Sequence, residues 1–271
     1  MSHDKLSLMT SIAITADKGI PKNKLDKLAK QTGLSLLTPK DHANYLLHIT
    51  TDYLELRKIA QTGKKQKIES IFVDFVSGKA NHRRLHGGGK GQDIAKAVGL
   101  HKISNPTVLD LTAGMGGDAF VLASLGADMI LLERNPVVHA LLYDAIERAN
   151  LSADQELQEI LSRITLLHQN SLDVLDSLEQ GDFPDVIYLD PMFPSRNKSA
   201  QVKKEMQFFH DVVGNDNDSE DVLLKSLTHA KKRIVVKRPR LAERLTDKVK
   251  PSFTIEGKST RYDIYLPLKA I

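Results

Sequence analysis

Apolar and polar positions alternate with two different periods along this chain, and their order predicts the elements. Ser11-Ile12-Ala13-Ile14-Thr15 is a short apolar run that predicts a strand. Pro21 opens and Gly33 closes a segment in which Leu25, Leu28 and Ala29 share one face, as in a helix. Residues 45–49 and 53–57 flank Thr50-Thr51-Asp52 and read as a hairpin. Gly63-Lys64-Lys65 reads as a turn, and Ile71-Phe72-Val73-Asp74-Phe75 as a further strand. The regular pattern then breaks from Ser77 to Gly91, where Gly78, Gly87, Gly88, Gly89 and Gly91 cluster. This break divides the chain into a small N-terminal α/β domain, residues 1–78, and a larger domain, residues 79–271.

Ile94, Ala95 and Val98 mark a short helix ending at Gly99. From Thr107 onward, strands and helices alternate. Strands are expected over 108–111, 129–133, 164–168, 186–190 and 233–236, and helices over 118–124, 136–149, after Ser171, and from Val222 to Ala230. Such alternation predicts a mostly parallel sheet covered on both faces, a Rossmann-like α/β fold. Phe253–Glu256 and Tyr262–Leu266, joined by Gly257-Lys258-Ser259, predict a closing antiparallel hairpin. That ending favours a class I methyltransferase sheet over a simple dinucleotide fold.

Two turns carry the candidate chemistry. After the strand at Val108 comes Asp110-Leu111-Thr112-Ala113-Gly114-Met115-Gly116-Gly117-Asp118. In doubly wound sheets a ligand binds beyond the C-terminal strand ends, and Gly114, Gly116 and Gly117 lie there. Without Cβ atoms they admit a close ligand and a sharp entry into the helix. Gly114-x-Gly116-x-x-Ala119 also fits a dinucleotide fingerprint, so the glycines alone leave the cofactor open. Asp110 tilts the choice to S-adenosylmethionine, because a carboxylate there suits an ammonium group and not a pyrophosphate. Glu133 ends the next strand and is expected to accept both ribose hydroxyls. Asn170 and Ser171, after the third strand, are expected at the adenine edge.

The second turn is Asp190-Pro191-Met192-Phe193-Pro194, after Val186-Ile187-Tyr188-Leu189. Methyl transfer from a sulfonium requires in-line geometry and a nucleophile with an available lone pair. An exocyclic base amine has its lone pair delocalised into the ring. The Asp190 carboxylate and the Pro191 carbonyl can accept its two N–H bonds and orient it. Phe193 offers a flat surface for the base, worth about 1–3 kcal/mol by analogy with other base–aromatic stacks. The catalytic expectation is therefore Asp190, Pro191 and Phe193.

Composition narrows this reading without changing it. A net charge of +4 and a pI near 9.0 allow a polyanionic partner. There is no cysteine, which removes disulfides and thiolate metal sites. No 18-residue apolar run and no secretory h-region occur, so the expectation is a cytoplasmic protein without a membrane partner. Arg196, Lys198, Lys203 and Lys204 directly follow the second turn, Lys237 and Arg238 come later, and Arg83, Arg84 and Lys90 lie in the glycine-rich junction. These are the expected phosphate contacts of a nucleic acid. His82 and His86 stand four apart without an acidic or cysteine companion nearby, so no metal is expected. Gly257-Lys258-Ser259 lacks the earlier glycine of a P-loop, Ser252 standing in its place.

The motifs resemble those of the bacterial 16S rRNA (guanine-N2)-methyltransferase J family. The likeness runs through Val73-Asp74-Phe75-Val76, His82-Arg83-Arg84 with Gly87-Gly88-Gly89, Asp110-Leu111-Thr112-Ala113-Gly114 and Leu132-Glu133-Arg134-Asn135-Pro136. It continues through Tyr188–Pro194, Lys198-Ser199-Ala200, Val202–Met206, Val235–Pro239 and Tyr262–Tyr265. The resemblance implies S-adenosylmethionine-dependent methylation of a guanine N2 amine in 16S ribosomal RNA, free or within the small ribosomal subunit. It places cofactor contacts at Gly117, Asp118, Glu133, Arg134, Asn170, Ser171 and Asp190, with Asn170 standing where family members carry serine. Adenine-N6 methylation of DNA or RNA, non-catalytic RNA binding and a dinucleotide-dependent oxidoreductase are the competing readings.

Overall fold

The computed structural model describes residues 11–38, 42–62, 65–192, 212–213 and 217–268. The described residues fall into two units that part between Phe72 and Val73, ahead of the junction expected at residue 78. The reason lies in Val73 and Phe75, which are buried. Phe75 stacks on Phe120 of the second unit with ring centroids 4.7 Å apart.

The first unit is a four-stranded sheet in the order β1-β2-β3-β4, where β1 is Ile12–Ala16, β2 Tyr45–Ile49, β3 Leu54–Thr62 and β4 Lys65–Ile71. β1 and β2 are parallel, joined through helix α1, Lys22–Thr32, and the other pairs are antiparallel. Pro21 precedes α1, and Gly33 ends it in the left-handed conformation at φ 72°. Ile14, Leu28, Tyr45, Leu47, Leu54 and Leu56 form the buried side. The strand expected over Ile71–Phe75 is corrected: β4 stops at Ile71. Asp74 Oδ1 accepts the backbone N–H groups of Val76 and Ser77, which turns the chain out of extended pairing.

The second unit begins with two short helices, α2, Lys79–His86, and α3, Asp93–Val98. α2 lies inside the stretch that the sequence pattern left irregular. It buries no residue completely, so it carries no apolar stripe to betray it. Strands β5, Thr107–Asp110, β6, Asp128–Leu132, β7, Ile164–Leu167, β8, Val186–Leu189, and β9, Arg233–Pro239, are parallel. β10, Phe253–Glu256, and β11, Thr260–Tyr265, complete a seven-stranded sheet in the order β10-β11-β9-β8-β5-β6-β7. β11 is antiparallel to both of its neighbours, as the closing hairpin predicted.

The connecting helices are α4, Gly117–Ser124, α5, Pro136–Asn150, α6, Gln155–Leu161, α7, Ser171–Ser177, and α8, Ser219–Ser226. Asn135 caps α5 through Val137 and Val138 N–H, and Pro136 fits the first turn. α6 was not expected, although Asp154 caps it and Leu157, Ile160 and Leu161 line one face. The strand order reverses direction between β5 and β8, which makes their C-terminal ends the switch point of the sheet. On one face Leu109, Ile187, Leu189, Ile234 and Val236 pack against Leu175 of α7 and Val222 and Leu223 of α8. Period-two alternation turns Val108, Asp110, Tyr188, Val235 and Lys237 to the other face. The same alternation therefore builds the core and selects which polar groups meet at the strand ends. Among the described residues no helix is long and apolar enough to cross a membrane, and no group of three metal-ligating side chains occurs.

Candidate functional site

The end of β5 and the glycine turn form the first half of the site. Gly114 and Gly116 have φ of 53° and 68°, conformations that cost a residue with a Cβ about 1–2 kcal/mol each. A Cβ on Gly116 would stand 2.7 Å from Leu142 Cδ1, so this side of the turn is closed by the core. A Cβ on Gly117 would meet nothing within 4 Å, and one on Gly114 only Thr112 O at 3.9 Å. One side of the turn thus packs against protein and the other is open to a ligand. Glu133 ties the turn to β6: its Oε2 accepts Gly114 N–H at 3.0 Å and its Oε1 accepts Asn135 N–H at 2.7 Å.

Asp110 is 2 % exposed. Its Oδ1 accepts Thr112 N–H at 2.9 Å, and Oδ2 accepts no hydrogen bond among the described residues. Burial pushes its carboxyl up to about 7, against the Thr112 bond that lowers it. A buried carboxyl with one oxygen unengaged fits an incoming ammonium group, which would hold it ionised. The open glycine face, this carboxyl and the Glu133 carboxylate are chemically compatible with the ammonium and ribose expected of S-adenosylmethionine. Ser171 Oγ donates to Leu111 O at 2.6 Å, which draws the start of α7 to the end of β5. Asn170 caps α7 through Leu172 N–H at 2.8 Å. Arg134 reaches Asp218 Oδ2 at 2.6 Å, beside the start of α8.

The other half of the site stands at the ends of β8 and β9. Leu189 pairs with Val236, so the next residues, Asp190 and Lys237, are neighbours across the sheet. Lys237 Nζ donates to Asp190 Oδ2 and to Asp118 Oδ2, at 2.7 Å each. Asp118 also accepts the Tyr188 hydroxyl at 2.7 Å and Arg83 Nη1 at 2.5 Å. Burial works against the Asp118 charge, yet Lys237 and Arg83 hold its carboxyl down to about 2. Burial likewise disfavours the Lys237 ammonium, and Asp190 with Asp118 outweighs it, raising its pKa above the ordinary lysine value. Burial first, and then Asp118, raise the Tyr188 phenol well above 10.0. Tyr262, opposite Lys237 on β11, is raised too, chiefly by burial. Thr112 links the halves: its Oγ1 accepts Asp190 N–H at 2.6 Å.

The structure therefore brings Asp110, Gly114, Gly116, Gly117, Glu133, Asn170, Ser171 and Asp190 to one end of the sheet, with Pro191 buried just beyond. Phe193, Arg196, Lys198, Lys203 and Lys204 lie outside the described residues. Four of the expected phosphate contacts have protein partners among the described residues. Lys237 is engaged by two carboxylates inside the site. Arg83 is spent on Asp118 and Gln92. Arg84, with its side chain 8 % exposed, pairs with Glu156 and Asn81. Arg238 is 3 % exposed and donates from Nε and Nη2 to Glu243 O. Lys90 is exposed. Asp118, expected at the cofactor, accepts from both Lys237 and Arg83. Thr112, Tyr188 and Tyr262 were missed as site residues, since a hydroxyl in a strand or turn carries no motif of its own.

Comparison with known proteins agrees with this geometry. Residues 27–267 match the family described as "Putative SAM-dependent methyltransferase". A ribosomal RNA small subunit methyltransferase J from Shewanella amazonensis is 52 % identical over 85 % of this chain and 90 % of its own. One from Photobacterium profundum is 48 % identical over 94 % of this chain and 97 % of its own. The crystal structure of a SAM-dependent methyltransferase from Neisseria gonorrhoeae superposes with a TM-score of 0.73 at 35 % identity, covering 96 % of this chain and 98 % of that one. The sheet order, the glycine turn and these similarities lead to one conclusion: the chain belongs to the ribosomal RNA small subunit methyltransferase J family of S-adenosylmethionine-dependent enzymes.

Proposed function

We propose that this protein methylates the exocyclic N2 amine of a guanosine in 16S ribosomal RNA, and so acts in ribosome biogenesis, a cytoplasmic process. The observation that carries this reading is the Asp190 carboxylate, set beside the glycine-turn strand with one oxygen on Lys237. The relatives' names, ribosomal RNA small subunit methyltransferase J, support the RNA substrate. S-adenosylmethionine supplies an electrophilic methyl group on a sulfonium. Asp110 receives its ammonium, Glu133 its ribose hydroxyls, and Gly114 and Gly117 leave it room.

Asp190 accepts one N–H of the amine and the Pro191 carbonyl the other, which fixes the nitrogen and turns its lone pair toward the methyl group. Phe193 stacks on the unstacked base. As the N–C bond forms, the methyl–sulfur bond would break, its electron pair leaving on the sulfur as a neutral thioether, and the amine must shed one proton. An ammonium 2.7 Å from Asp190 disfavours the protonated carboxyl, so Asp190 orients the amine and the proton passes to water.

The test is digestion of 16S RNA to nucleosides after reaction with the purified protein and labelled cofactor, offered both as naked RNA and as small subunits. N2-methylguanosine is expected. N6-methyladenosine would redirect the site to the other amine, and no label in either RNA would reject the reading.

A further inference from the structure

Far from Asp190, the first residues of β9 and β10 and the turn after α3 enclose a cavity of about 290 Å³. Its lining is Lys96, His101, Lys102, Arg233, Phe253 and Ile255. Four of these six are basic and none is acidic. β10 is the edge strand, and its alternation turns Phe253 and Ile255 to the same face. α3 packs against β9, β10 and β11, which brings Lys96 to that face. Arg233 is a fixed wall: its Nη1 donates to Ala97 O at 3.0 Å, and its guanidinium fills the space beside Gly99, 2.8 Å from where a Cβ would stand.

The other groups are available. His101 and Lys102 are exposed and have no side-chain partner among the described residues. Lys96 holds only Asp93, at 3.2 Å, with its side chain 48 % exposed. Phe253 is 44 % exposed at the cavity mouth. Cations around an open mouth with a flat aromatic wall are the chemistry that holds a phosphate and stacks a base. At about 290 Å³ the volume lies just below the roughly 300–1,000 Å³ of small-ligand sites, a size for a single small group and not for a helix. Arg233 begins β9 and Lys237 lies four residues on, so the cavity is about 13 Å along the strand from the methyl-transfer site.

We propose that this cavity is a second nucleic-acid contact, which holds one phosphodiester and one stacked base of single-stranded RNA at the opposite end of the sheet from Asp190. It deepens the reading that RNA is the substrate, and it rests on that reading. A strand held at both places is fixed in direction as well as position.

The test uses the full chain with S-adenosylmethionine bound. Fluorescence anisotropy follows an unstructured 12-nucleotide RNA of arbitrary sequence between 50 and 200 mM salt, with AMP as a parallel probe by calorimetry. Lys102→Ala should reduce the log–log salt slope by about 0.7, one lost single-strand phosphate contact. Lys102→Arg should restore it. Phe253→Ala should weaken RNA about 5- to 150-fold, the span for one lost base stack, with the slope unchanged. Cofactor calorimetry reports whether each variant is folded. Wild-type RNA affinity and slope in folded Lys102→Ala and Phe253→Ala overturn the proposal. So does AMP binding that these variants abolish while RNA binding stays intact, since that marks a mononucleotide site. Because the RNA probe needs no methyl acceptor, the cavity is read separately from the proposed reaction. A wild type that binds the probe through Lys102 and Phe253 but methylates no 16S RNA would reject the reaction and leave the contact standing.

Discussion

Lys237→Met removes the ammonium between Asp118 and Asp190 and keeps most of the side-chain stem. Each ion pair is 2.7 Å long, an attraction of about 6 kcal/mol at an effective dielectric near 20. Desolvation of the partly buried ammonium, its side chain 25 % exposed, offsets much of that. Asp118 retains Arg83 and the Tyr188 hydroxyl after the substitution. Asp190, with its side chain 41 % exposed, can be rehydrated. The loss of stability should therefore be about 1–3 kcal/mol, below the roughly 3–5 kcal/mol of a fully buried broken pair. Turnover should suffer more, because the freed Asp190 carboxylate no longer holds the amine in one place. A misplacement of about 1 Å costs about 10²-fold in rate, or about 2.7 kcal/mol of barrier. The assay is single-turnover methyl transfer at saturating cofactor and RNA, with melting temperature as the folding control. A phosphate contact at Lys237 would instead raise the KM for RNA and flatten its salt slope while leaving the saturated rate alone. Lys237→Arg keeps the charge and should recover part of the rate. A folded Lys237→Met protein with a saturated rate within about twofold of wild type would refute the clamp.

Gly116→Ala should destabilise the fold by about 2–4 kcal/mol in urea denaturation, from its φ of 68° and the 2.7 Å approach to Leu142. Gly117→Ala meets no atom and should leave stability alone while weakening S-adenosylmethionine in calorimetry; wild-type affinity there would remove the open face from the cofactor site. The Asp110 carboxyl lies at about 7 in the fold against an ordinary 3.8, so the folded protein holds a proton that the unfolded chain releases. Its contribution to stability is present below about pH 4 and is lost as the pH rises to about 7. At about 1.4 kcal/mol per pH unit the loss is about 4 kcal/mol. Asp110→Asn should therefore be more stable than wild type at pH 8 without cofactor, yet bind S-adenosylmethionine more weakly; equal denaturation midpoints at pH 8 would contradict the buried charge. Asp190→Ala should nearly abolish single-turnover transfer with the fold retained, and Asp190→Asn should keep a small fraction; near-normal transfer by Asp190→Ala would end its role as amine acceptor.

Which parts of this site were legible follows from where each signal sits. Asp110, Glu133 and Asp190 each lie at the end of an apolar run, and the parallel alternation carries every such end to the switch point. One linear rule thus placed three residues from distant parts of the chain. Glu133 also shows its limit: it binds the glycine turn through Gly114 N–H, a contact between strands that no local pattern encodes. Removing it should loosen the turn, so Glu133→Ala is a poorer probe of the cofactor than Gly117→Ala. Lys237 and Arg238 show how one misplaced boundary propagates. The apolar run ends at Val236, and a basic pair after a strand reads as surface. The strand in fact continues to Pro239, held by β11 through Lys237 opposite Tyr262 and Arg238 opposite Arg261. Within a strand, adjacent residues face opposite sides. Lys237 is thereby turned inward to Asp118 and Asp190, and Arg238 to the carbonyl of Glu243. A buried cation is stable only where partners wait for it. Those partners are acids and carbonyls supplied by α4, β8 and the loop after β9, and only the folded sheet brings them together.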